Sequence, residues 1–368
     1  MKVAVVGLGV AGLSICARLA LAGHDVSGFE QFEPLHTRGS SHGDTRIVRL
    51  TPGEGDVYVR LARRAAVLWK TWEGLAGRPF IDWTGGLMAG PRDSPFVAAC
   101  QRMSGKPAAL LRGDAIHPLT HGYIAMPYEW DVFRQDDCGV IAADAVRAFL
   151  LRQTPRWGAK LHHNVRIEAP IESTTLRIDG EPRAFDAVIV AAGGWAGALL
   201  PEFAGRLAVR RRVFGWFQTQ APRLLPVIVI DNEDGVYGMP APQGRYKIGL
   251  HAVGGATDPN DVREPDAHDA AALSAHVREL LPKHDPKPVR MATCLYTVTP
   301  DENFLIAQSA AHDRVLLFSA CSGHGFKYAP VFGELAEEWL KGDPSAELAA
   351  FSLHGRTDAA TGLGAHRF

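Results

Sequence analysis

The first thirty residues contain a strand, glycine turn, helix and strand pattern that constrains the fold more than any other part of the chain. The apolar, β-branched run Lys2–Val6 predicts a buried strand. A helix is predicted from about Ala11 to Ala22, where Gly23 ends it, and a second strand follows from Asp25 to Phe29. Between the first strand and the helix stand three glycines with GxGxxG spacing: Gly7, Gly9 and Gly12. This arrangement is the dinucleotide-binding fingerprint in its expected βαβ context.

Each part of this unit has a separate physical role. Gly7 makes the tight turn, Gly9 lets the backbone approach a pyrophosphate, and Gly12 lets helix and strand pack closely. The helix N-terminus offers N–H groups and partial positive charge to the phosphates. Glu30 follows the second strand, where a carboxylate can accept hydrogen bonds from a ribose 2′-OH. An acid there disfavours a 2′-phosphate, and hence NADP, whereas FAD and NAD both remain open on these residues alone.

The composition excludes several classes of function. The 368 residues carry a formal net charge of −1, so no general attraction to nucleic acid or acidic membranes is expected. No apolar run approaches a membrane span, and the glycine-interrupted N-terminus carries Arg18, unlike a signal peptide. The five cysteines are scattered without CxxC or zinc spacing, which predicts no metal site and fits a reducing compartment. We therefore expect a cytoplasmic protein with no nucleic-acid or membrane partner.

Two further regions indicate how the rest of the chain is organised. The apolar run Phe185–Trp195 ends in glycines, which predicts a strand of a parallel sheet and a second cofactor contact. Another strand is predicted over Ala159–Glu168. Alternating apolar residues between 207 and 251 predict antiparallel strands that form the floor of a substrate domain.

These patterns predict an α/β chain with two domains. One is a Rossmann-like, discontinuous dinucleotide-binding domain, and the other is a substrate domain with an antiparallel β-sheet flanked by helices. The segments assigned to the dinucleotide-binding domain, which the resemblance described below makes FAD-binding, are 1–80, 140–205 and 295–368. The segments assigned to the substrate domain are 81–139 and 206–294.

Two glycine-rich segments supply candidate anion-binding groups. Gln31–Gly55 is predicted to be a loop along the bound cofactor, with Arg46 and Arg49 projecting to one side toward anionic groups. The turn Ser322–Lys327 precedes a predicted helix at Val331–Lys341. A helix N-terminus beside a lysine is an expected anion site.

Together these motifs resemble a known family. The chain resembles monomeric sarcosine oxidase and N-methyltryptophan oxidase, within the D-amino-acid-oxidase-like flavoproteins. The resemblance extends from Met1 to about Phe351. Besides GxGxxG and Glu30, the matching segments in chain order are SSHGDTRIVR, AAGGW, YKIGLH, CLYTVTPDE and SGHGFK. The first and the last two of these segments, in that order, are the most specific.

The resemblance implies roles for individual residues around FAD. Cys294 matches the cysteine that carries FAD through a thioether at the flavin 8α-methyl. Arg46 and His42 match groups near the flavin ring, and Arg49 and Lys327 match the pair that holds the substrate carboxylate. The other residues that the resemblance assigns to the cofactor are Thr45, Val165, Gly193, Gly323, Gly325 and Phe326, and Lys327 contributes there too.

The resemblance also implies the catalytic side chains. Lys247 matches the lysine that activates oxygen, and Tyr237, His251 and Tyr296 match substrate-pocket residues. Residue Ser41 stands where the family often has the first of two histidines. The region from about residue 78 to 127 resembles nothing strongly, and this leaves the substrate side chain open.

The implied reaction is oxidation of an amine. A hydride equivalent leaves a C–H beside nitrogen for the flavin, and O2 then becomes H2O2. Arg49 and Lys327 fix the substrate acid as a planar fork and a point charge. The Lys247 ammonium would stabilise a superoxide-like anion. His251, with an expected pKa near the working pH, would help remove the proton of the amine.

The expected substrate is a small amino-acid-like amine, sarcosine or another N-methyl amino acid, and the expected acceptor is O2. A monomer is expected. Oxidation of a cyclic imino acid such as pipecolate or a proline analogue remains an alternative, and so does a flavin-binding protein without turnover. A dehydrogenase with another acceptor is disfavoured by Lys247. An NAD-dependent enzyme would leave Cys294 unexplained.

Overall fold

The N-terminal strand lies inside a six-stranded sheet whose members come from distant parts of the chain. The computed structural model describes residues 1–105, 109–221 and 224–353. In spatial order the strands of this nucleotide sheet are Leu305–Gln308, Val315–Ser319, Ala187–Val190, Lys2–Val6, Asp25–Phe29 and Lys160–His162. The first pair is antiparallel and the other pairs are parallel. The first two strands of the chain have the predicted bounds, whereas the predicted strand Ala159–Glu168 is reduced to three residues.

An eight-stranded sheet forms the second large layer. In spatial order its strands are Arg290–Val298, Ala208–Gln218, Arg245–Leu250, Val236–Ala241, Val227–Ile230, Gly86–Gly90, Asp131–Gln135 and Leu111–Arg112. Its pairs are antiparallel except for Val227–Ile230 with Gly86–Gly90, which is parallel. The predicted α/β class, with a parallel nucleotide sheet and an antiparallel second sheet, is confirmed.

A three-stranded sheet corrects the prediction for the segment after Glu30. Its strands, in spatial order, are Thr45–Arg49, Cys138–Ala142 and Ile81–Asp82. The predicted loop Gln31–Gly55 therefore contains a strand. Residues three apart in a strand point to opposite faces, so Arg46 and Arg49 do not project to the same side as predicted. A separate hairpin joins Thr175–Ile178 to Glu181–Ala184.

Helices cover the sheets. The α-helices are Val10–Leu21, Asp56–Ala76, Pro95–Ser104, His117–Thr120, Ala143–Gln153, Ala196–Leu199, Ala267–Leu280, Ala329–Lys341 and Ala346–Ala350, and the 3-10 turns are Gly113–Ile116, Thr154–Trp157, Gly193–Trp195, Pro201–Arg206 and Phe326–Tyr328. The start of Ala267–Leu280 is fixed by a capping box, in which Asp266 accepts hydrogen bonds from the N–H groups of His268 and Asp269. Among the described residues, no helix combines the length and apolar character needed to cross a bilayer.

The first helix is buried between the nucleotide sheet and Ala329–Lys341. Nine of its twelve residues are buried, so it belongs to the main apolar core. Close approach is possible because Gly333 has no side chain. A Cβ there would lie 2.3 Å from the Cβ of Arg18. The core thus fixes the glycine turn at the carboxyl end of strand Lys2–Val6.

Two predicted domain boundaries fall inside strands. The boundary at 139/140 divides Cys138–Ala142, and the boundary at 294/295 divides Arg290–Val298, which pairs along its length with Ala208–Gln218. Because ladder hydrogen bonds hold a strand in its sheet as one unit, we propose that 290–298 belongs wholly to the substrate domain. Residues 106–108, 222–223 and 354–368 of the predicted segments lie outside the described residues.

Candidate active site

One large cavity is lined by residues from both large sheets and from the segments between them. The predicted site residues that line it are Gly7, Gly9, Glu30, Arg46, Arg49, Val165, Gly193, Tyr237, Lys247, His251, Cys294, Tyr296, Gly323, Gly325, Phe326 and Lys327. Three predicted residues, Gly12, His42 and Thr45, are buried outside this lining. The structure therefore brings together residues that are almost the whole chain apart.

The glycine turn forms one end of the cavity. Gly7 has a φ of +94°, and a Cβ at Gly12 would lie 1.8 Å from the carbonyl oxygen of Gly7, so neither position accepts a side chain. Gly9 is the N-cap of helix Val10–Leu21 and supplies no side-chain cap. The N–H groups at this helix start, together with its dipole, suit a pyrophosphate.

Glu30 is held in position beside that turn. Its carboxylate accepts hydrogen bonds from the N–H groups of Leu8 at 2.9 Å and Phe32 at 3.2 Å, and His36 Nε2 lies 3.6 Å away. Burial alone would raise the pKa of Glu30, but hydrogen bonds from His36 and Leu8 outweigh it and lower the pKa. The carboxylate is therefore charged and able to accept ribose hydroxyls. Sequence reasoning missed His36, because nothing in its local pattern distinguishes it from a solvated loop histidine.

The residues at this end of the cavity match the groups of a dinucleotide. The helix starts at a glycine, and the N–H of Val10 donates to Ser41 Oγ at 3.0 Å. A glycine N-cap, a turn where side chains are excluded and a buried carboxylate at a strand end match pyrophosphate and ribose. In the turn after strand Val315–Ser319, too, the backbone is packed too closely to accept a side chain. A Cβ at Gly325 would lie 1.9 Å from the carbonyl oxygen of Ala320. The residues present fit FAD.

Arg49 and Lys327 meet around a buried carboxylate that the sequence analysis did not identify. Arg49 Nη2 lies 3.1 Å from both carboxylate oxygens of Glu54, and Lys327 Nζ lies 3.3 Å from one of them. The side chain of Glu54 is only 8% exposed. Burial alone would raise the pKa of Glu54, but the charges of Arg49 and Lys327 hold it well below its usual range. The two predicted substrate anchors thus already hold an acid, which belongs to the protein.

Lys327 has further contacts that fix its position. Its Nζ donates to the carbonyl oxygen of His324 at 3.0 Å, and Trp69 Nε1 donates to the carbonyl oxygen of Lys327 at 2.9 Å. Trp69 is a buried core residue, and it also positions Lys327. Burial lowers the pKa of Lys327 to about 8, against the opposing effect of Glu54. Lys327 can therefore lose its charge near pH 8, whereas the guanidinium of Arg49 stays charged there.

Lys247 is a second buried cation on the cavity wall. Its Nζ donates to the carbonyl oxygens of Gly43 at 2.8 Å and Thr45 at 2.5 Å, and it lies 5.1 Å from the ring centre of Phe214. Burial and the neighbouring charge of Arg46 lower its pKa well below that of a surface lysine. Lys247 is therefore a buried side chain and is not solvated like an ordinary surface lysine.

Arg46 and His42 lie close to Lys247. The Arg46 guanidinium donates to the carbonyl oxygens of Thr45 at 2.9 Å and Ser40 at 2.6 Å, and it lies 5.8 Å from the ring centre of Phe326. Burial, with the charge of Arg46 second, lowers the pKa of His42 to about 3. His42 is therefore neutral and packs outside the cavity lining. Arg46 lies in the lining and contributes a positive charge to the cavity wall.

Cys294 lies in the wall on strand Arg290–Val298. It is buried beside Phe214, Trp216 and Tyr296, and burial raises the pKa of its thiol to about 11. Cys321 also lines the cavity, and its sulfur accepts a hydrogen bond from the N–H of Thr297 at 3.5 Å. Both thiols therefore lie on the wall of the cavity.

Two aromatic residues and a histidine form the remaining predicted pocket. The rings of His251 and Tyr296 are 5.3 Å apart, and Tyr237 lies over Gly249, where a Cβ would come within 2.3 Å of it. Burial, with the charge of Arg212 second, lowers the pKa of His251 to about 3. The expectation of a pKa near the working pH is therefore wrong, because burial makes protonation of the ring unfavourable.

Known proteins resemble this chain over nearly its whole length. Residues 2–339 match the family described as DAO, FAD dependent oxidoreductase. The chain is 31% identical to monomeric sarcosine oxidase of Bacillus sp. (strain B-0618), covering 96% of this chain and 95% of that protein. It is 32% identical to N-methyl-L-tryptophan oxidase of Salmonella arizonae, covering 95% and 97%. A solved structure of NikD, described as an unusual amino acid oxidase essential for nikkomycin biosynthesis, has a TM-score of 0.83 at 23% identity and covers 94% and 96%.

The motif resemblance is therefore confirmed. The family match spans most of the chain, and its cofactor agrees with the turn, carboxylate and buried cations described above. The chain belongs to the DAO family of FAD-dependent oxidoreductases, as a relative of monomeric sarcosine oxidase and N-methyltryptophan oxidase.

Proposed function

We propose that this FAD-dependent amine oxidase acts on a secondary amine that carries a carboxylate, such as sarcosine or another N-methyl amino acid. The amine becomes an imine as a hydride equivalent leaves the adjacent carbon and a proton leaves nitrogen, and O2 accepts both electrons to give H2O2. The observation that carries the proposal is the cation pair Arg49 and Lys327 on the cavity wall, which is gathered around the buried acid Glu54. The names of the two relatives support the same substrate class.

The protein residues bind and orient the substrate. Arg49 offers a planar fork to an acid and Lys327 a point charge, so two anchors fix one end of the molecule. Tyr237 and Tyr296 supply apolar walls with polar ends. The flavin, when bound, supplies the electron acceptor for the C–H bond. Lys247 supplies a buried cation for the oxygen that is reduced afterwards.

A peroxide-coupled assay tests this proposal. The panel contains sarcosine, N-methylalanine, N-methyltryptophan, pipecolate and proline, with N-methylbenzylamine as an amine that lacks the acid. We expect peroxide with at least one acid-bearing secondary amine and a value of kcat/KM at least about 100-fold lower without the acid. Turnover of only cyclic substrates would select the imino-acid alternative. Equal turnover of N-methylbenzylamine would contradict the role of the cation pair.

Removal of the planar anchor gives the next prediction. Arg49→Ala is expected to raise KM for the carboxylated substrate tenfold or more, because a charged hydrogen bond contributes about 1.5–3 kcal/mol. Steady-state kinetics measures this effect. Arg60→Ala is the control, since Arg60 pairs with Glu347 at an exposed position outside the cavity. An unchanged KM for Arg49→Ala would remove that residue from the anchor.

The flavin attachment is proposed at Cys294. Acid precipitation of the holoenzyme is expected to leave a yellow, fluorescent pellet, because a thioether resists acid. Cys294→Ser should give a colourless pellet, and Cys321→Ser, the control at the competing thiol, should retain the colour. A colourless wild-type pellet, or colour that is lost only with Cys321→Ser, would overturn the proposed attachment.

The lowered pKa of Lys327 predicts pH-dependent binding of acids. The ammonium is charged below its pKa of about 8 and neutral above it, so carboxylate affinity should fall as the pH rises through this value. Propionate lacks an amine, so its dissociation constant, followed by flavin absorbance, reports this titration without interference from the substrate. We expect about tenfold weaker binding at pH 9.5 than at pH 7. Lys327→Arg should bind with a constant affinity over this range, because a guanidinium stays charged.

A further inference from the structure

A second cavity lies beside the active site, separated from it by two side chains. His251 and Tyr296 line both cavities. The second one is also lined by three arginines, Arg206, Arg210 and Arg212. Its volume of about 410 Å³ is in the range of small-molecule sites.

Arg212 is a buried cation without a carboxylate partner among the described residues. It is 6% exposed. Its Nη1 donates only to the carbonyl oxygens of Arg211, Val253 and Gly254, and its buried Nε has no hydrogen-bond partner. The neighbouring Arg211 provides a contrast, since it pairs with Asp269 at 2.6 Å. A buried charge that lacks an opposite charge is costly, which points to an anion supplied from outside the protein.

Strand geometry directs the arginines toward the cofactor wall. In the ladder between Ala208–Gln218 and Arg290–Val298, Arg212 is opposite Cys294 and Arg210 is opposite Tyr296. Opposed residues project from the same face of a sheet, so these four side chains share one face. The Arg212 guanidinium also lies 5.3 Å from the ring centre of Tyr296.

The second cavity has an excess of positive charge. Among the described residues that line it, Glu302 is the only acidic one, whereas Arg210 and Arg212 both belong to the same lining. No ion pair within 4 Å joins Glu302 to Arg210 or Arg212 in the described part of the chain, although both arginine charges influence its carboxyl group. An incoming acid would therefore meet net attraction at this position.

We propose that Arg212, with Arg210, binds a second carboxylate of the substrate. The inference rests on the proposed function and specifies it. The amine would carry two acids, one held by Arg49 and Lys327 and the other past Tyr296 and His251 at Arg212. The charges of both Arg212 and Lys327 influence His251, so this residue lies within electrostatic range of both acid sites.

Binding of dicarboxylates tests the inference without turnover. The probes are straight-chain dicarboxylates from glutarate to suberate, each compared with its monoamide, and calorimetry of the holoenzyme measures the dissociation constants. At least one diacid should bind about tenfold or more tightly than its monoamide. Arg212→Gln should abolish this preference while monoamide affinity stays unchanged, and Arg212→Lys should largely retain it.

A matched variant and a kinetic comparison complete the test. Arg211→Gln removes an equally buried arginine that pairs with Asp269, and it should leave the diacid preference intact. In the peroxide assay, N-methylglutamate should exceed N-methylglutamine in kcat/KM by about tenfold, and only in enzyme with a cation at position 212. No preference for any diacid, or a preference that survives Arg212→Gln, overturns the inference. Diacid binding without peroxide formation would instead reject the proposed function alone.

Discussion

Replacing Glu54 with glutamine is expected to tighten the binding of carboxylate ligands by about tenfold or more. In the structure Glu54 holds both Arg49 and Lys327, so a ligand acid has to displace it before both cations can bind the ligand. An amide of the same shape carries no charge, and the two cations become available. The dissociation constant of propionate, measured by flavin absorbance near pH 7, reports the change.

The same substitution should lower stability when no ligand is present. Two buried cations then lack their partner, and the free energy of unfolding should fall by about 3–5 kcal/mol. Propionate should restore more stability to Glu54→Gln than it adds to wild type, because it binds the folded state of the variant more tightly. Urea unfolding with and without propionate measures both effects.

Glu337 supplies a matched control for this experiment. Its carboxylate also contacts one arginine and one lysine, Arg18 at 2.6 Å and Lys341 at 2.5 Å, and its side chain is 9% exposed. It lies outside the cavity, so Glu337→Gln should leave propionate affinity unchanged. If Glu54→Gln also left the affinity unchanged, Glu54 would not compete with the ligand.

Replacing Lys247 with methionine is expected to slow the reaction of the reduced enzyme with O2 by about 100-fold or more. Methionine keeps the length and apolar stem of the side chain and removes the cation that would stabilise a developing superoxide. Reduction by substrate should change much less. Stopped-flow absorbance follows the two half-reactions separately, and equal slowing of both would count against a role in the oxygen reaction.

Two further variants separate charge from structure at this position. Lys247→Gln keeps a donor for the carbonyl oxygens of Gly43 and Thr45, so it should fold well and still react slowly with O2. Arg245→Met removes a cation two residues earlier on the same strand and outside the cavity lining, and oxidation should be unaffected. Because its pKa is lowered, Lys247 loses its proton at a lower pH than a surface lysine does. The rate of the oxygen reaction should therefore begin to fall at that lower pH.

The sequence predicts the parts of the fold in which a local pattern and the tertiary structure agree. Strands Lys2–Val6 and Asp25–Phe29 have their predicted bounds, because each is buried after its first residue and Gly7 and Gly23 mark the turns beside them. The long helix Asp56–Ala76 has apolar residues at helical spacing, and these are the residues that it buries. Most residues that the family motifs assign to the site line one cavity.

The remaining features depend on contacts between distant segments. Thr45–Arg49 is polar and follows a glycine-rich stretch, and it becomes a strand only because Cys138–Ala142 pairs with it. Glu54 and Arg212 look like ordinary charged residues in the sequence. Only the structure shows that Glu54 is ion-paired and that Arg212 has no carboxylate partner among the residues described. Burial also determines the pKa of His251, and no residue next to it in the chain indicates that burial.

The order of strands in the nucleotide sheet has a consequence for biosynthesis. Lys2–Val6 pairs with Ala187–Val190, and that strand pairs with Val315–Ser319. A ribosome makes the glycine turn and the neighbouring strand Asp25–Phe29 first, but the strand on the other side of Lys2–Val6 emerges only after residue 190, and the strand beyond it only after residue 319. At roughly 5–20 residues per second, the nascent chain waits many seconds with this segment paired on one side only. FAD uptake should therefore be a late event, and translation products that stop before the last strand should bind none.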